Sequence, residues 1–410
     1  MASGRLSKSP RQAQPIRSGH YPAKELCSEC GLCDTQYVQY VKSACAFINP
    51  QIEALEQQTH GQSRAIEDAT NSATRQSPTD TDYFGVHQAM LTARKRDPIA
   101  GAQWTGIVST IAIAALEQGW VEGVICVQAD ETDRFQPRPV LARTAAEILA
   151  AKVNKPTLSP NLSVLETVKQ SGCRRLLVIG VGCQIQALRA VESQLGLEKL
   201  YVLGTPCVDN VSRAGLQKFL EVTSHSPATV VSYEFMQDFR VHFKHEDGSV
   251  EKVPFFGLKT PQLKDVFAPS CLSCFDYVNG LADLVVGYMG SPFGWQWLVV
   301  RNERGQALLD LVKDQLDWQP VISKGQRQAA VQQSISLYDR AASLPMWLAR
   351  LMASVIDKIG PQGLEYARFS IDSHFTRNYL YVRRHYPQKL ARQVPGFAQR
   401  IVAQYQLPND

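Results

Sequence analysis

Eight of the ten cysteines fall into two groups whose spacing suits the ligands of metal clusters. In the first group, three cysteines follow one another at every third residue in CSECGLCD, and a fourth lies in KSACAF; they are Cys27, Cys30, Cys33 and Cys45. Three thiolates at this spacing can hold one face of an iron–sulfur cluster, and a more distant cysteine can close it. The spacing therefore predicts a 4Fe–4S site, with electron transfer as its chemistry.

The second group is spread along the chain. Cys271 and Cys274 form a CxxC pair in APSCLSCFDY, and Cys183 (GVGCQ) and Cys207 (GTPC) each follow a glycine turn. These pieces can form a second cluster site only if the fold brings them together, and spacing alone leaves this open.

Zinc ligation, disulfide formation and burial as a free thiol are the other roles that these cysteines could have. Structural zinc usually uses two CxxC knuckles rather than one tight triple. Disulfides are not expected, because the chain shows no apolar signal segment and reads as a protein of a reducing compartment. Cys126 and Cys173 lie in or beside apolar segments, where a free cysteine usually serves as a small buried hydrophobic residue.

Composition is that of a globular protein without a membrane span. The chain has 410 residues, of which 44% are hydrophobic and 20% charged, with a net charge of +5. This length allows two or three domains, and no segment approaches the ~20 apolar residues that cross a bilayer. Basic clusters such as Arg94–Arg96 would suit an acidic protein partner. No nucleic-acid-binding module is recognised, so no nucleic-acid partner is expected.

The chain after residue 81 alternates strand and helix patterns. The patterns predict a helix over 105–118, a strand over 121–128, and a capping box of Thr144 and Glu147. Two later strands, in RRLLVIG and KLYVLG, each end in a glycine turn. This rhythm predicts a mainly parallel sheet with ligands at the carboxyl ends of its strands.

The overall expectation is an α/β fold, α+β when the whole chain is counted. Its predicted parts are a flexible arm (1–22), an iron–sulfur module with a loop (23–80), an α/β flavin-binding domain (81–227), and a C-terminal α+β domain with the second cluster cysteines (228–410). A β-hairpin is predicted around Asp247–Gly248. The amphipathic segment SLPMWLARLMASVIDKIG is expected to pack its apolar face on the core, with a membrane-surface helix as the alternative.

Three glycine- or proline-rich turns could bind a phosphate group. GVGCQIQAL lacks the third glycine of the dinucleotide fingerprint, so NAD is not predicted, but a turn before a helix still attracts anions. Together with GAQWTGIVSTI and KVNKPTLSPN it could hold the pyrophosphate of FAD, although ordinary loops would look the same. The candidate cofactor residues are Gly101, Trp104, Thr105, Gly106, Asn154, Lys155, Gly180, Gly182 and Gln184.

No hydrolase elbow, phosphate-binding P-loop or HExxH motif is present. The candidate proton donors are Tyr83, His87 and His374, without a ranking.

The assembled motifs resemble the coenzyme F420-reducing hydrogenase beta-subunit family, and within it the ferredoxin-dependent reductases of the chlorophyll pathway. The likeness runs from about residue 21 to 382. The motifs that carry it include YPAKELCSECGLCD, DYFGVHQ, GAQWTGIVSTIAI, KPTLSPNLSVLE, GVGCQIQALR, LEKLYVLGTPCVDN, APSCLSCFDY, LADLVVGYMG and GLEYARFS.

This resemblance implies an enzyme with FAD and two 4Fe–4S clusters, and with reduced ferredoxin as electron donor. It assigns the first four cysteines to one cluster, and Cys183, Cys207, Cys271 and Cys274 to the other, although Cys183 could instead line the flavin. The implied reaction is reduction of the C8 vinyl group of a divinyl (proto)chlorophyllide to ethyl. Reduction of 7-hydroxymethyl chlorophyll a and an electron-relay subunit are the alternatives. The resemblance also implies that the protein lies in the cytosol of a cyanobacterium and is at most peripherally bound to the thylakoid membrane. It is compatible with a homo-oligomer.

A flat apolar pigment needs aromatic walls. The candidate substrate residues are Phe84, Phe293, Trp295 and Trp297. The short segment SPFGWQWLVV favours the vinyl group, which makes no hydrogen bonds, over a hydroxymethyl group, which a site would select with a buried donor or acceptor.

Overall fold

The computed structural model of the chain describes residues 21–64, 77–259, 262–338 and 344–408. Most of the predicted arm (residues 1–20) and residues 65–76 of the predicted loop lie outside the described residues. The strands are β1 (Ala89–Lys95), β2 (Gly123–Ala129), β3 (Pro137–Ala142), β4 (Arg175–Gly180), β5 (Lys199–Gly204), β6 (Val230–Phe235), β7 (Arg240–His245), β8 (Val250–Pro254), β9 (Leu284–Gly287), β10 (Gln296–Val300), β11 (Leu316–Gln319), β12 (Ser323–Lys324) and β13 (Gln362–Gly363). The helices are α1 (Val41–Ala44), α2 (Ile52–His60), α3 (Asp80–Phe84), α4 (Ile107–Glu117), α5 (Ala145–Ala150), α6 (Leu165–Gln170), α7 (Gly182–Ala190), α8 (Arg213–Thr223), α9 (Glu303–Asp310), α10 (Gln328–Tyr338), α11 (Met346–Ile359), α12 (Leu364–His385), α13 (Leu390–Gln393) and α14 (Gly396–Val402).

The main sheet has eight strands in the order β11-β1-β10-β9-β5-β4-β2-β3. Strands β2, β4, β5 and β9 run parallel in its middle, and the other neighbours pair antiparallel. The α/β class is confirmed, but parallel order is confined to the middle of the sheet. One reason is that β9 and β10 are joined by a short loop, which antiparallel neighbours allow and parallel ones do not.

The main sheet takes strands from both sides of the predicted boundary between residues 227 and 228. Strands β1–β5 precede that boundary, whereas β9–β11 follow it. Directly after the boundary comes a separate antiparallel sheet, β6-β7-β8. The ranges 81–227 and 228–410 therefore share one sheet, and residues 230–254 form an insertion. The predicted hairpin is confirmed, with Gly248 in the left-handed region (φ 82°).

Local predictions around the central strands are also confirmed. Helix α4 and strand β2 fall within a few residues of the predicted ranges. The Thr144 side chain accepts from the Glu147 N–H, and the Glu147 carboxylate accepts from the Thr144 N–H, so the capping box caps α5.

The core lies on both faces of the main sheet because successive side chains of a strand point to opposite faces. One face packs against residues such as Ile185 of α7 and Phe375 of α12. The opposite face packs against Ile111 of α4 and Leu308 of α9.

Helix α11 differs from the expectation that its apolar face packs on the core. Its inner side buries Ala349 and Ala353 and half-buries Leu348, Met352 and Ile356, so only part of the predicted apolar face packs on the core. The large apolar side chains of its outer side are exposed, namely Trp347, Leu351, Val355 and Ile359.

Candidate functional site

The first four cysteines lie together in a short segment built from tight turns. Cys27 follows the 3-10 turn Lys24–Leu26, Cys33 lies inside a second such turn, and Cys45 follows α1. Burial raises the pKa of Cys27, Cys30 and Cys33, and the charge of Cys45 raises it further in all three, so the four sulfurs lie near one another. We call this set the first quartet.

A glycine lets the first quartet dock on the body of the protein. Gly31 has a φ of 90°, and a Cβ there would lie 2.6 Å from the carbonyl oxygen of Pro160. Next to it, the Leu162 N–H donates to the carbonyl oxygen of Cys30 at 2.8 Å. The cysteine segment can approach the 160–163 loop this closely because residue 31 has no side chain.

The second group of cysteines also converges. Cys183 lies in the first turn of α7, Cys207 follows β5, and Cys271 and Cys274 border a 3-10 turn. Burial, and after it the charges of Cys271 and Cys274, raise the pKa values of Cys183 and Cys207, so the four thiols are neighbours. We call this set the second quartet. Its assembly from separated pieces is what spacing alone left open.

Helix α12 holds the Cys271–Cys274 turn. The buried Asn378 amide donates to the carbonyl oxygens of Cys271 at 2.8 Å and Cys274 at 2.7 Å. His374 Nε2 lies 3.1 Å from the Cys274 carbonyl oxygen. Sequence reasoning missed Asn378, and the available signal was its position four residues after His374, on the same helix face.

A buried ion pair fixes His374. Arg377 binds Asp209 through two hydrogen bonds of 2.8 Å, and it donates a third to His374 Nδ1 at 3.0 Å. Burial and then the Arg377 charge hold the pKa of His374 well below its usual range. His374 is therefore neutral, with its proton on Nε2, and serves as a hydrogen-bond donor to the cysteine turn.

The thiols lie in surroundings that suit a buried metal centre. Burial raises the pKa of Cys27 to about 11 and that of Cys271 to about 12. Backbone N–H groups point at sulfur, from Glu29 to Cys27 Sγ at 3.3 Å and from Asn210 to Cys271 Sγ at 3.2 Å. Binding of metal cations by the sulfurs would displace the thiol protons, and the N–H groups would stabilise the resulting negative charge on sulfur.

The two quartets adjoin each other. Burial, and after it the charge of Cys183, raise the pKa of Cys30, so these two thiols are neighbours. In addition, one apolar cluster that includes Phe47 packs against Cys45, Cys183 and Cys274. Among the described residues, no group of three or more His, Cys, Asp or Glu side chains is placed to hold a single metal ion.

A cavity of about 790 Å³ lies at the carboxyl ends of β4, β5 and β9. This volume is in the range of sites that hold cofactors and drug-sized ligands, roughly 300–1,000 Å³. Cys207 and His374 are among its lining residues, so the cavity borders the second quartet.

The predicted cofactor residues gather at this cavity. Gly101, Thr105 and Gly182 lie in the same turns as its lining residues, and the Thr105 hydroxyl donates to the Gln296 side-chain oxygen at 3.0 Å. Those that line it are Trp104, Gly106, Asn154, Lys155, Gly180 and Gln184.

Two of these side chains have roles that the sequence did not reveal. The Lys155 ammonium donates to the carbonyl oxygens of residues 151–153 at 2.9–3.1 Å, and burial lowers its pKa to about 8. It therefore satisfies the carbonyl groups that directly follow the last residue of α5. Gln184 accepts from the Asn161 amide at 3.0 Å and donates to the Ser159 carbonyl at 2.9 Å, which ties the α7 turn to the loop against which the first quartet docks.

The cavity fits a flavin dinucleotide in its polar and aromatic groups. Asn154 Oδ1 and Ser373 Oγ are buried in its lining and have no hydrogen-bond partner among the described residues. Buried polar atoms of this kind call for a ligand or a water. Trp104 and Tyr288 stack with ring centres 4.7 Å apart, which provides a flat apolar surface.

Of the three candidate proton donors, His374 lines the cavity. Tyr83 lies in a buried network, where it donates to Asp372 at 2.9 Å and accepts from Arg327 at 2.9 Å, and burial raises its pKa to about 12. His87 is half-buried beside β1, with Nδ1 2.7 Å from the Gly85 carbonyl oxygen.

The four candidate substrate residues do not form one wall. Phe84 and Trp297 pack together in the core at 5.6 Å, because alternation along β10 turns Gln296, not Trp297, toward the cavity. Trp295 lies under the Arg94 guanidinium at 4.8 Å, and Phe293 is exposed against His242. Other aromatic residues line the cavity instead, largely from the insertion and α12: Phe235, Phe239, Phe255, Phe256, Tyr288, Tyr366 and Phe369.

A mixed α/β sheet with eight clustered cysteines beside a large cavity is typical of an electron-transferring oxidoreductase. Residues 90–166 match the N-terminal region of the coenzyme F420 hydrogenase/dehydrogenase beta subunit, and residues 173–323 match its C terminus. The chain belongs to this family of oxidoreductases, which confirms the resemblance found in the sequence.

Three relatives show the range of the family. An uncharacterised protein of Nostoc sp. is 72% identical over 94% of this chain and 95% of its own length. The chloroplastic 7-hydroxymethyl chlorophyll a reductase of rice is 50% identical over 94% of this chain and 84% of its own. The coenzyme F420 hydrogenase subunit beta of Methanosarcina barkeri is 32% identical over 55% of this chain and 79% of its own.

A solved structure supports the fold. The F420-reducing NiFe hydrogenase complex of Methanosarcina barkeri contains a chain that aligns with a TM-score of 0.53 at 25% identity, covering 72% of this chain and 93% of that one. In the described ranges, every helix is too short or too polar to cross a bilayer.

Proposed function

We propose that this protein is a ferredoxin-dependent reductase of a chlorophyll-type pigment, with FAD and two 4Fe–4S clusters. The observation that carries the proposal is the continuity of the three sites: the first quartet adjoins the second, and the second borders the cavity. The relationship to the rice enzyme supports a pigment of this class as substrate.

Each quartet would hold one cluster, and the turns around Trp104, Asn154 and Gly180 would hold the flavin. The thiols of Cys27 and Cys33 are less deeply buried than that of Cys207, so the first quartet is the entry for electrons. When bound, the clusters would supply single electrons and the flavin would supply storage for two, which matches a one-electron donor to a two-electron reduction.

The chain's own residues would hold the pigment, exclude water and deliver a proton. The aromatic end of the cavity offers flat surfaces for a macrocycle. Tyr277, Ser370 and Tyr366 line the cavity, and the Tyr366 hydroxyl donates to the Met236 carbonyl oxygen at 3.1 Å. These hydroxyls are better placed than Tyr83 or His87 to pass a proton to a substrate there.

The substrate we propose is a divinyl (proto)chlorophyllide, whose C8 vinyl group gains two electrons and two protons and becomes ethyl. An aromatic site suits a group that makes no hydrogen bonds. The second candidate is 7-hydroxymethyl chlorophyll a, which the name of the rice relative favours. An electron-relay role is the third, since hydrogenase subunits are relatives.

The test is turnover by the isolated protein. After iron, sulfide and flavin are quantified, the protein is incubated anaerobically with reduced ferredoxin and each pigment, and the products are separated by chromatography. Ethyl product from the divinyl pigment supports the proposal. Conversion of the hydroxymethyl pigment alone selects the second candidate, and no turnover without an added partner subunit selects the relay. Zinc without iron refutes all three.

A matched pair of variants locates the pigment. We expect Phe256→Ala, at the aromatic end, to weaken pigment binding about thirtyfold, because burial of an aromatic side chain is worth on the order of 2 kcal/mol. Trp295→Ala should leave binding unchanged, because Trp295 packs under Arg94. The reverse result would place the pigment at the β10 edge.

A further inference from the structure

The outer face of α11 carries a straight row of exposed apolar side chains. Trp347 is 69% exposed, Leu351 55%, Val355 46% and Ile359 75%. They recur at every fourth position, so they form one stripe along a helix of 14 residues. A contiguous apolar patch on a protein surface indicates a binding site for a protein, a membrane or a ligand.

Basic residues lie beside this stripe. Arg350, Ser354 and Lys358 are exposed and occupy the neighbouring column of the helix. The Arg240 guanidinium donates to the Ser354 hydroxyl at 2.8 Å, but its charge is balanced by an ion pair with Asp238. The acidic residue of the helix, Asp357, is also exposed, so Arg350 and Lys358 leave one net positive charge beside the stripe.

Helix α11 is also the outer wall of the aromatic end of the cavity. The Leu344 N–H donates to the carbonyl oxygen of Phe256 at 3.3 Å, just before the helix begins. The buried Ala353 packs with Phe239 and Tyr366, and both of these line the cavity. The stripe and the cavity end are therefore two sides of one thin layer.

We propose that α11 docks the protein on the surface of an anionic lipid bilayer. The stripe would enter the interface between headgroups and acyl chains, and Arg350 and Lys358 would lie at the headgroups. The inference rests on the proposed function for its purpose, since an apolar pigment could then pass between membrane and cavity without crossing water.

A lipid surface accounts for the observations better than a protein partner does. A helix that rests on the body through Ala349, Ala353 and the half-buried Ile356 still presents an exposed stripe along its whole length to a flat surface. A tryptophan at one end and cations alongside are the features of helices that lie in a membrane interface. A second copy of the chain would cover the stripe but would bring its own Arg350 and Lys358 against the same charges.

The experiment measures co-sedimentation of the pigment-free holoenzyme with vesicles. One vesicle type is phosphatidylcholine alone and the other contains about one-third phosphatidylglycerol. The test variant is W347S/L351S, and the matched control is W318S/V250S, which removes an aromatic and an aliphatic residue of similar exposure elsewhere (43% and 46%). We expect binding to the anionic vesicles, reduced at least about tenfold in the test variant and less than twofold in the control.

Absence of vesicle binding by the unaltered protein would overturn the inference, as would equal loss in both variants. Sedimentation velocity is run in parallel. A dimer or trimer that dissociates in W347S/L351S while vesicles stay unbound would assign the stripe to a second copy instead. Because no pigment is present, these results are independent of turnover. Failure of this inference therefore leaves the proposed reductase activity to its own assay.

Discussion

The two quartets differ in what holds them in place. The first comes from one short segment, in which 3-10 turns and a left-handed glycine bring Cys27, Cys30 and Cys33 together. The second joins a helix N-terminus, a strand end and a turn, and α12 holds that turn through Asn378. One chain can therefore build similar thiol sets either from local structure or through its tertiary structure.

The largest expected effect comes from removing one ligand of each quartet. Cys30→Ser and Cys271→Ser should each lose about half of the iron and abolish ferredoxin-driven turnover, because each cluster needs its thiolates. Iron analysis and electron paramagnetic resonance of the two clusters measure this.

The matched control is Cys173→Ser, whose thiol is buried beside Arg175 and should leave the iron content unchanged. It is preferable to Cys126→Ser, because Cys126 lines the cavity. Full iron in Cys271→Ser would show that the second quartet holds no cluster.

A smaller effect should separate the quartets without touching a thiol. Asn378→Leu leaves the Cys271 carbonyl oxygen without this donor and the Cys274 carbonyl oxygen with His374 alone, which costs about 2 kcal/mol. We expect iron of the second cluster to be lost in preference to that of the first, with Tyr379→Phe on the same helix as control. Equal loss from both clusters would mean that α12 supports the fold as a whole and not the second quartet.

Acid should weaken the packing of α2, the helix that follows the first quartet, against the rest of the protein. His60, at the end of α2, lies 2.9 Å from the Gly280 carbonyl oxygen, and burial and the Arg301 charge lower its pKa to about 4. Because the unfolded chain binds this proton near pH 6.5 and the folded protein does not, His60 makes stability fall as the pH drops from about 6.5 toward 4.

This effect amounts to about 1 kcal/mol between pH 7.5 and 5.5. Urea unfolding at the two pH values measures it, and His60→Gln should flatten the dependence by that amount. An unchanged pH dependence in His60→Gln would remove His60 as the cause.

The smallest effect is expected where the first quartet meets solvent. Tyr21→Phe removes the exposed hydrogen bond of 2.8 Å from the Tyr21 hydroxyl to Asp34. Surface changes of this kind alter stability by at most about 0.5 kcal/mol, so both clusters should keep their iron. Loss of first-cluster iron would show that this quartet depends on its surroundings as much as the second does.

Much of the fold followed from local patterns. The capping box at Thr144, the hairpin at Gly248 and the strand–turn–helix at Gly180 were predictable because they depend on residues a few positions apart. The antiparallel pairing of the outer strands was not, because strands β9–β11 return to a sheet begun more than a hundred residues earlier.

By itself, the sequence determined the family, the local geometry of the first quartet and the three turns that meet at the cavity. Only the tertiary structure decided that Cys183 and Cys207 join Cys271 and Cys274, that Lys155 closes a helix, and that Trp297 faces the core. It also turned the apolar side of α11 outward. The physical reason is that turns and caps are set by short-range sterics and hydrogen bonds, whereas the direction in which a side chain finally points depends on which distant surface the chain packs against.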